Sequence, residues 1–161
     1  MVTITDFEVG KFKLAFNEQT ANDLQACIDR NVPTIMAELF GVELLALYEA
    51  GISNNEPLYT LLRDEFIIQD NCLLISKGIK DMLMGFIWCE FQREIYTTPT
   101  TTGNVKAKSQ NSTDISFPTM MYQINWLASL KSYESIQALC HERYDDYPTF
   151  KGIKKYPILA L

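Results

Sequence analysis

The pattern of apolar and polar positions changes along the chain, and its first part predicts extended structure. Over residues 2–16 apolar side chains alternate with polar ones, as at Phe12, Leu14 and Phe16, and a period of two favours an extended segment. A single short strand is not stable in water. Residues 1–19 are therefore expected to form an extended N-terminal arm that pairs or packs with this chain or with a neighbouring one.

From residue 20 onward the apolar positions recur at helical spacing, and they predict a small bundle of four to five helices over residues 20–146. Pro33 either kinks the first helix or opens a second one, because proline is tolerated in a first helical turn. Gly41 is expected to mark a bend. Gly51 is expected to end the next helix as a C-terminal glycine.

Three later helices are predicted, and the middle one has the strongest pattern. The first begins at Pro57, and Ile67 and Ile68 either extend it or start a short extended link. Residues 76–96 are apolar nearly all round, which is typical of a central, buried helix. The last helix covers residues 119–144 and has two apolar faces. One face carries Met121, Ile124, Leu127, Ala128, Ile136 and Leu139, and Trp126, Leu130 and Tyr133 lie towards another.

Two later segments lack helical periodicity. Residues 97–118 form a long mid-chain loop, rich in threonine, in which Gly103-Asn104 suits the turn of a projecting hairpin. Composition slightly favours a solvated linker; the alternative is an arm whose backbone pairs with a strand or edge of a neighbour. Residues 147–161 form an extended C-terminal tail with an apolar end, which would be unusual on a free tail.

Composition and charge narrow the class of protein. The chain has 161 residues, of which 47% are hydrophobic, enough for one domain with a real core. Its net charge of −6 argues against sequence-specific DNA binding, which needs clustered lysine and arginine. No stretch suits a signal peptide or a membrane span, so a soluble protein is expected. The four scattered cysteines are expected to be free, buried thiols.

Candidate chemistry is sparse. His141 is the only histidine, and its neighbour Cys140 points elsewhere on a helix. Glu90 and Glu94 share a helical face, but no E-x-x-H element accompanies them and an outer stripe balanced by Arg93 explains them better. No glycine-rich phosphate motif occurs. The prediction is that the chain is not an enzyme, with no catalytic residue, no metal site and no cofactor.

The order of features resembles a known family. The runs LFGVELLALYEAG, SKGIKDMLMGFIWCEFQREIY, TTPTTTGNVKAKSQNS and MMYQINWLASL follow one another. In this the chain resembles the small helical head–tail connector (adaptor or head-completion) proteins of tailed bacteriophages. It is similar in particular to those of Bacteroidetes-infecting, crAss-like phages. The resemblance covers roughly residues 20–140 and rests mainly on the K-G-I-K and T-T-P-T-x-x-G-N-V runs.

The resemblance implies a function. It implies a virion structural protein without enzymatic activity that forms a ring of twelve copies at the head–tail interface and assembles from the host cytoplasm. Its partners would be further copies of itself, the portal protein and other connector or tail proteins. DNA would pass through the channel that the ring lines without sequence-specific binding, and no membrane is involved. The alternative is a small helical adaptor or regulator that binds one heterologous protein partner.

Interface residues follow from two separate arguments. The tail residues are selected by the argument from exposed apolar surface, and they are Tyr147, Phe150, Tyr156 and Ile158. The loop residues are carried over from the resemblance, and they are Thr100, Thr102, Gly103, Asn104, Val105, Lys106 and Lys108.

Overall fold

The computed structural model describes residues 2–15, 17–69, 72–96, 98–100, 103–105 and 119–151, and it is mainly helical, as predicted. Among the described residues no helix combines the length and apolar character needed to cross a bilayer. In chain order the elements are a 3₁₀ turn (Ile4–Phe7), α1 (Glu18–Phe40), α2 (Val42–Ser53), α3 (Pro57–Arg63), β1 (Phe66–Gln69), β2 (Leu73–Ser76), α4 (Gly78–Tyr96), β3 (Thr98–Thr100), β4 (Gly103–Val105) and α5 (Thr119–Glu142).

The first two helices meet at a glycine. Asn17 caps α1, because its side-chain Oδ1 accepts a hydrogen bond of 2.8 Å from the backbone N–H of Thr20. Pro33 lies inside α1, so one helix passes through it and no second helix begins there. Gly41 has a φ of 75° and separates α1 from α2, which confirms the predicted bend.

Gly51 has a different role from the one predicted. Helix α2 continues past it to Ser53, so Gly51 does not end the helix. A side chain at position 51 would overlap the ring of Tyr59 on α3. The glycine therefore allows α2 and α3 to approach closely, and its C-terminal position in the helix misled the prediction.

Helix α4 is the centre of the bundle, as its apolar pattern predicted. Met82, Phe86, Ile87 and Phe91 are buried, and α4 contacts α1, α3 and α5. Helix α5 runs antiparallel to it. Ser132 of α5 lies beside the start of α4, because its Oγ accepts at 3.1 Å from the N–H of Lys77, just before that helix. Tyr122, earlier in α5, lies beside the later part of α4.

A β-hairpin resolves the alternative left open for Ile67 and Ile68. Strands β1 and β2 pair antiparallel, with Ile67 opposite Ile75 and Ile68 opposite Leu74. The segment is therefore an extended link and not an extension of α3. Phe66 and Leu74 are buried, and β2 packs against α5.

The N-terminal arm packs on its own chain. Alternation favoured extended structure, but Ile4–Phe7 form a 3₁₀ turn that is capped by Thr3. Phe7, Phe12 and Leu14 are buried in the core of the bundle, while Phe16 lies outside the described residues. The apolar positions were read correctly as buried; their spacing did not show that a turn would bury them.

Candidate interaction surface

Four apolar side chains in the first half of α5 are exposed on one face of the helix. They are Met120, Met121, Ile124 and Leu127, with 74%, 48%, 47% and 61% of their surface exposed. We call these four residues the α5 stripe. Contiguous apolar surface of this kind on a folded chain marks an interaction site more often than scattered single residues do.

The side of α5 opposite the stripe is buried, and it carries two polar residues as well as aromatic ones. Asn125 and Ser129 are 0% and 2% exposed. In the part of the chain that the structure describes, the amide nitrogen and oxygen of Asn125 and the hydroxyl of Ser129 have no hydrogen-bond partner. Burying an unpaired polar group costs about 1–3 kcal/mol. The first half of α5 therefore buries two polar side chains and exposes four apolar ones, whereas an amphipathic helix usually does the opposite.

This orientation decides between the two apolar faces predicted for the last helix. Of the first face, Ile136 and Leu139 are buried, but Met121, Ile124 and Leu127 are exposed. In the first half of α5, Trp126 of the other face is buried instead. The reason is aromatic packing at the same helical spacing, described next.

Two aromatic residues hold α5 in place against α4. The Trp126 ring lies edge-on to Phe86 of α4, with 5.0 Å between ring centroids, and it stacks on Tyr122 at 6.2 Å. Aromatic side chains bury more apolar area than methionine or leucine and gain further from ring geometry. Burying Tyr122 and Trp126 turns the stripe, on the other side of the helix, toward solvent.

The polar residues in the second half of α5 bind backbone groups. Ser135 Oγ accepts from the N–H of Ile75 at 3.3 Å on β2. Gln137 Nε2 donates to the carbonyl of Leu39 at 3.2 Å, at the end of α1. Polar side chains here bind the edge of β2 and the C-terminus of α1. Their burial is compensated except at Gln137 Oε1, which has no partner among the described residues.

The mid-chain hairpin was predicted, but not with its turn at Gly103-Asn104. Strands β3 and β4 pair antiparallel, with Pro99 opposite Asn104 and Thr100 opposite Gly103. Gly103 and Asn104 therefore lie in β4 and do not form the turn. Of the predicted interface residues, Thr100, Gly103, Asn104 and Val105 lie in these strands, and Thr102, Lys106 and Lys108 lie outside the described residues.

The two hairpins lie at opposite ends of α4. Ser76 of β2 is followed closely by the first residue of α4, and β3 begins two residues after its last. Helix α4 has 19 residues, which makes it about 28 Å long at 1.5 Å per residue. The chain thus presents one short hairpin at each end of its central helix.

Two of the four tail residues that were selected as exposed apolar surface are buried. Tyr147 is 0% exposed and Phe150 is 5% exposed, both within this chain. The Tyr147 hydroxyl donates to the carbonyl of Leu58 at 2.9 Å, at the start of α3. These two residues are core anchors of the tail. Tyr156 and Ile158 lie outside the described residues.

A cavity of about 550 Å³ lies between α1, α2 and the start of α4, and its walls are mainly apolar. Two cations reach it, but each already has an anionic partner: Arg63 Nε lies 2.7 Å from Asp64 and Lys80 Nζ lies 2.6 Å from Asp6. The cavity therefore offers mainly apolar surface, with Glu49 as the remaining charged residue in its wall.

The cysteines and acidic residues show ordinary packing chemistry. Burial raises the pKa of Cys27 to about 11 and those of Cys89 and Cys140 to about 12, so these thiols are protonated at neutral pH. Burial also raises the pKa of Glu90, and Arg93 opposes that effect. Cys72 is exposed, so the prediction of a buried thiol is wrong at this one of the four positions.

No family model matches the chain, and no curated protein and no solved structure is significantly similar to it.

Proposed function

We propose that this chain is a virion structural protein that forms a homo-oligomeric ring in the head–tail connector of a tailed phage. The ring would bridge portal and tail and line the DNA channel. The α5 stripe is the observation that carries the assembly part of this proposal. The kind of assembly comes from the resemblance to phage connector proteins, which rests on the order of runs from LFGVELLALYEAG to MMYQINWLASL.

The stripe supports assembly because no described part of the chain buries it. Apolar surface removed from water contributes about 25 cal/mol per Å². In the described chain the stripe stays in water while Asn125 and Ser129 are buried without partners. A partner that covers Met120, Ile124 and Leu127 would recover the free energy that the isolated subunit leaves unused.

The stripe and the mid-chain hairpin lie at the same end of the bundle. Because α4 and α5 are antiparallel, the start of α5 lies beside the end of α4, where β3 begins. A ring needs two different contact surfaces on each subunit, since its contacts are head to tail. This end of the bundle supplies one of them.

The charge of the chain fits a channel that DNA passes through. A net charge of −6 gives the assembled ring a strongly negative field. Phosphates are repelled by such a surface at short range, so the genome would slide and not adhere. This supports the proposal over any role that requires holding nucleic acid.

Replacing stripe residues by acids tests the proposal. The Ile124→Glu/Leu127→Glu double variant should keep its thermal unfolding midpoint, because both side chains are exposed, and should lose self-association. Val42→Glu is the matched control, because Val42 is 79% exposed on α2, away from the stripe. Sedimentation velocity over a concentration series, with and without the portal protein of the same genome, measures the association.

The possible results separate the proposal from its alternative. Association by the wild type and by Val42→Glu, but not by the double variant, is the expected result. A wild-type chain that stays monomeric at high concentration and ignores portal would overturn the ring. A monomer that forms a one-to-one complex with a single other protein would instead favour the adaptor or regulator.

A further inference from the structure

Among the residues that the structure describes, no strand pairs with the outer edge of β1. Ile67 pairs with Ile75 in the antiparallel register, and the N–H of Ile75 donates to Ser135 on α5, away from β1. Opposite residues in an antiparallel pair direct their backbone groups either toward each other or both outward. The N–H and C=O of Ile67 therefore point away from β2. No described residue bonds to them, and the side chain is 67% exposed.

Only one of the two edges of this hairpin is protected. On the β2 side, Ser135 and Ser132 of α5 accept from the N–H groups of Ile75 and Lys77. The sequence of β1, FIIQ, contains neither a proline nor a charged residue. Natural proteins usually place such residues on open edges to prevent strand pairing. β1 carries none of these defences.

The second hairpin also has one usable edge. Pro99 lies opposite Asn104 in the antiparallel register. Without an N–H, Pro99 cannot form both hydrogen bonds of a hydrogen-bonded pair, so this pair is of the kind that points its backbone groups outward. Pro99 has no N–H, and the edge of β3 therefore lacks a donor there. The edge of β4 has both a donor and an acceptor at Asn104.

A two-stranded hairpin alone in water is marginally stable, and a third strand would stabilise this one. Its own β1 is out of reach, because the two hairpins lie at opposite ends of α4, about 28 Å apart at 1.5 Å per residue. No other strand of the described residues lies nearer to it, and a strand from a second molecule would meet this need. The same distance keeps β4 of its own chain away from β1.

Charge favours pairing of β1 with β4 of another copy over pairing of β1 with β1. Asp64, Glu65 and Asp70 flank β1 in the sequence, and residues 97–113 contain lysines at 106 and 108 but no acid. Pairing β1 with β1 of a second copy would bring the acids together. Arg63 and Lys77 offset two of these acids, so charge selects the partner edge more than it strengthens the contact.

We infer that β4 of one copy pairs along the outer edge of β1 in the next copy, with Asn104 beside Ile67. The inference rests on the proposed ring and names one of its head-to-tail contacts. Main-chain hydrogen bonds carry this contact, as in other cases of strand addition to a sheet edge.

Cross-linking between two differently marked chains tests the contact. One chain carries Ile67→Cys and the other Asn104→Cys, both with Cys72→Ser to remove the exposed native thiol. A short bis-maleimide should link the mixture into dimers and should link neither chain with itself. Efficient linking of the Ile67→Cys chain alone would show β1–β1 pairing and overturn the inference.

Two substitutions at position 67 separate backbone pairing from side-chain contact. Ile67→Pro removes the outward N–H, which β2 does not use, and should weaken association at least about tenfold. Ile67→Thr removes apolar surface but keeps the N–H, and should associate as the wild type does. Equal losses in both variants would overturn strand pairing.

The failure of this contact and the failure of the ring are distinguishable. A wild-type chain that associates, with no cross-link between positions 67 and 104, refutes the strand contact and leaves the ring proposal standing. A wild-type chain that does not associate refutes both. Circular dichroism and the thermal midpoint of each variant show that its fold is retained.

Discussion

At the scale of single residues, two buried amides on α5 differ in how well they are compensated. Gln137 is 1% exposed, and its Nε2 donates to the Leu39 carbonyl at 3.2 Å and to the Tyr133 hydroxyl at 3.2 Å, while its Oε1 has no partner among the described residues. Asn125 is 0% exposed and its amide has no partner among the described residues. The same chemical group should therefore contribute with opposite sign at the two positions.

Replacing each amide by leucine measures that difference. Asn125→Leu should raise the free energy of unfolding by about 1–2 kcal/mol, because an unpaired buried polar group is removed. Gln137→Leu should lower it by about 1–3 kcal/mol, because the backbone carbonyl of Leu39 loses its donor. Urea denaturation of both variants and the wild type gives the values. Similar destabilisation in both would mean that Asn125 has a partner, such as a buried water.

At the scale of elements, the sequence predicts which segments are helical better than which faces are buried. Helix α4 was predicted as central because it is apolar nearly all round, so its orientation did not have to be known. Helix α5 carries two apolar sets at the same spacing, one with Met121 and Ile124 and one with Tyr122 and Trp126. Contacts with Phe86 decide between them, and those depend on tertiary packing that periodicity does not contain.

The serines of α5 show a second reason for that limit. Ser132 and Ser135 look like an outward face, but they are buried against β2, whose unpaired edge needs acceptors. Strand edges are recognised only when the hairpin is placed in three dimensions. A polar helical face beside a predicted hairpin is the one signal that would have suggested this arrangement.

Removing one of these acceptors should loosen the hairpin locally. Ser135→Ala leaves the N–H of Ile75 without its partner and should cost about 1 kcal/mol of stability. Amide hydrogen exchange at Ile75 should accelerate, while exchange in α4 should change only as far as global stability does. Ser129→Ala is the matched control, since the hydroxyl of Ser129 makes no hydrogen bond to any described residue. Unchanged protection of Ile75 would contradict the role assigned to Ser135.

At the scale of the whole molecule, the sequence predicted which segments lack helical periodicity but not where the folded bundle ends. The tail was predicted to start at residue 147 because helical periodicity stops there. Tyr147 and Phe150 nevertheless fill the core beside α3, where Tyr147 lies edge-on to Tyr59 with 6.3 Å between ring centroids. Aromatic residues without periodicity are read as exposed from sequence, because their burial depends on a surface formed by distant residues.

Two shortened chains locate the boundary of the folded unit. A chain ending at Asp146 loses both aromatic anchors and should be destabilised by at least about 3 kcal/mol, the usual cost of removing one large buried aromatic side chain. A chain ending at Lys151 keeps both anchors and should unfold with a free energy close to that of the full chain. Urea denaturation followed by circular dichroism measures both. Equal stability of the two shortened chains would show that Tyr147 and Phe150 are dispensable.

The exposed methionine, isoleucine and leucine side chains of the α5 stripe also have a thermal consequence. A contact that covers such surface draws its free energy near 25 °C mainly from released water, and that contribution shrinks as the temperature falls. Assemblies held together chiefly through α5 are therefore expected to be cold-labile. They would come apart on ice and reform on warming, whereas each separate subunit would keep its fold.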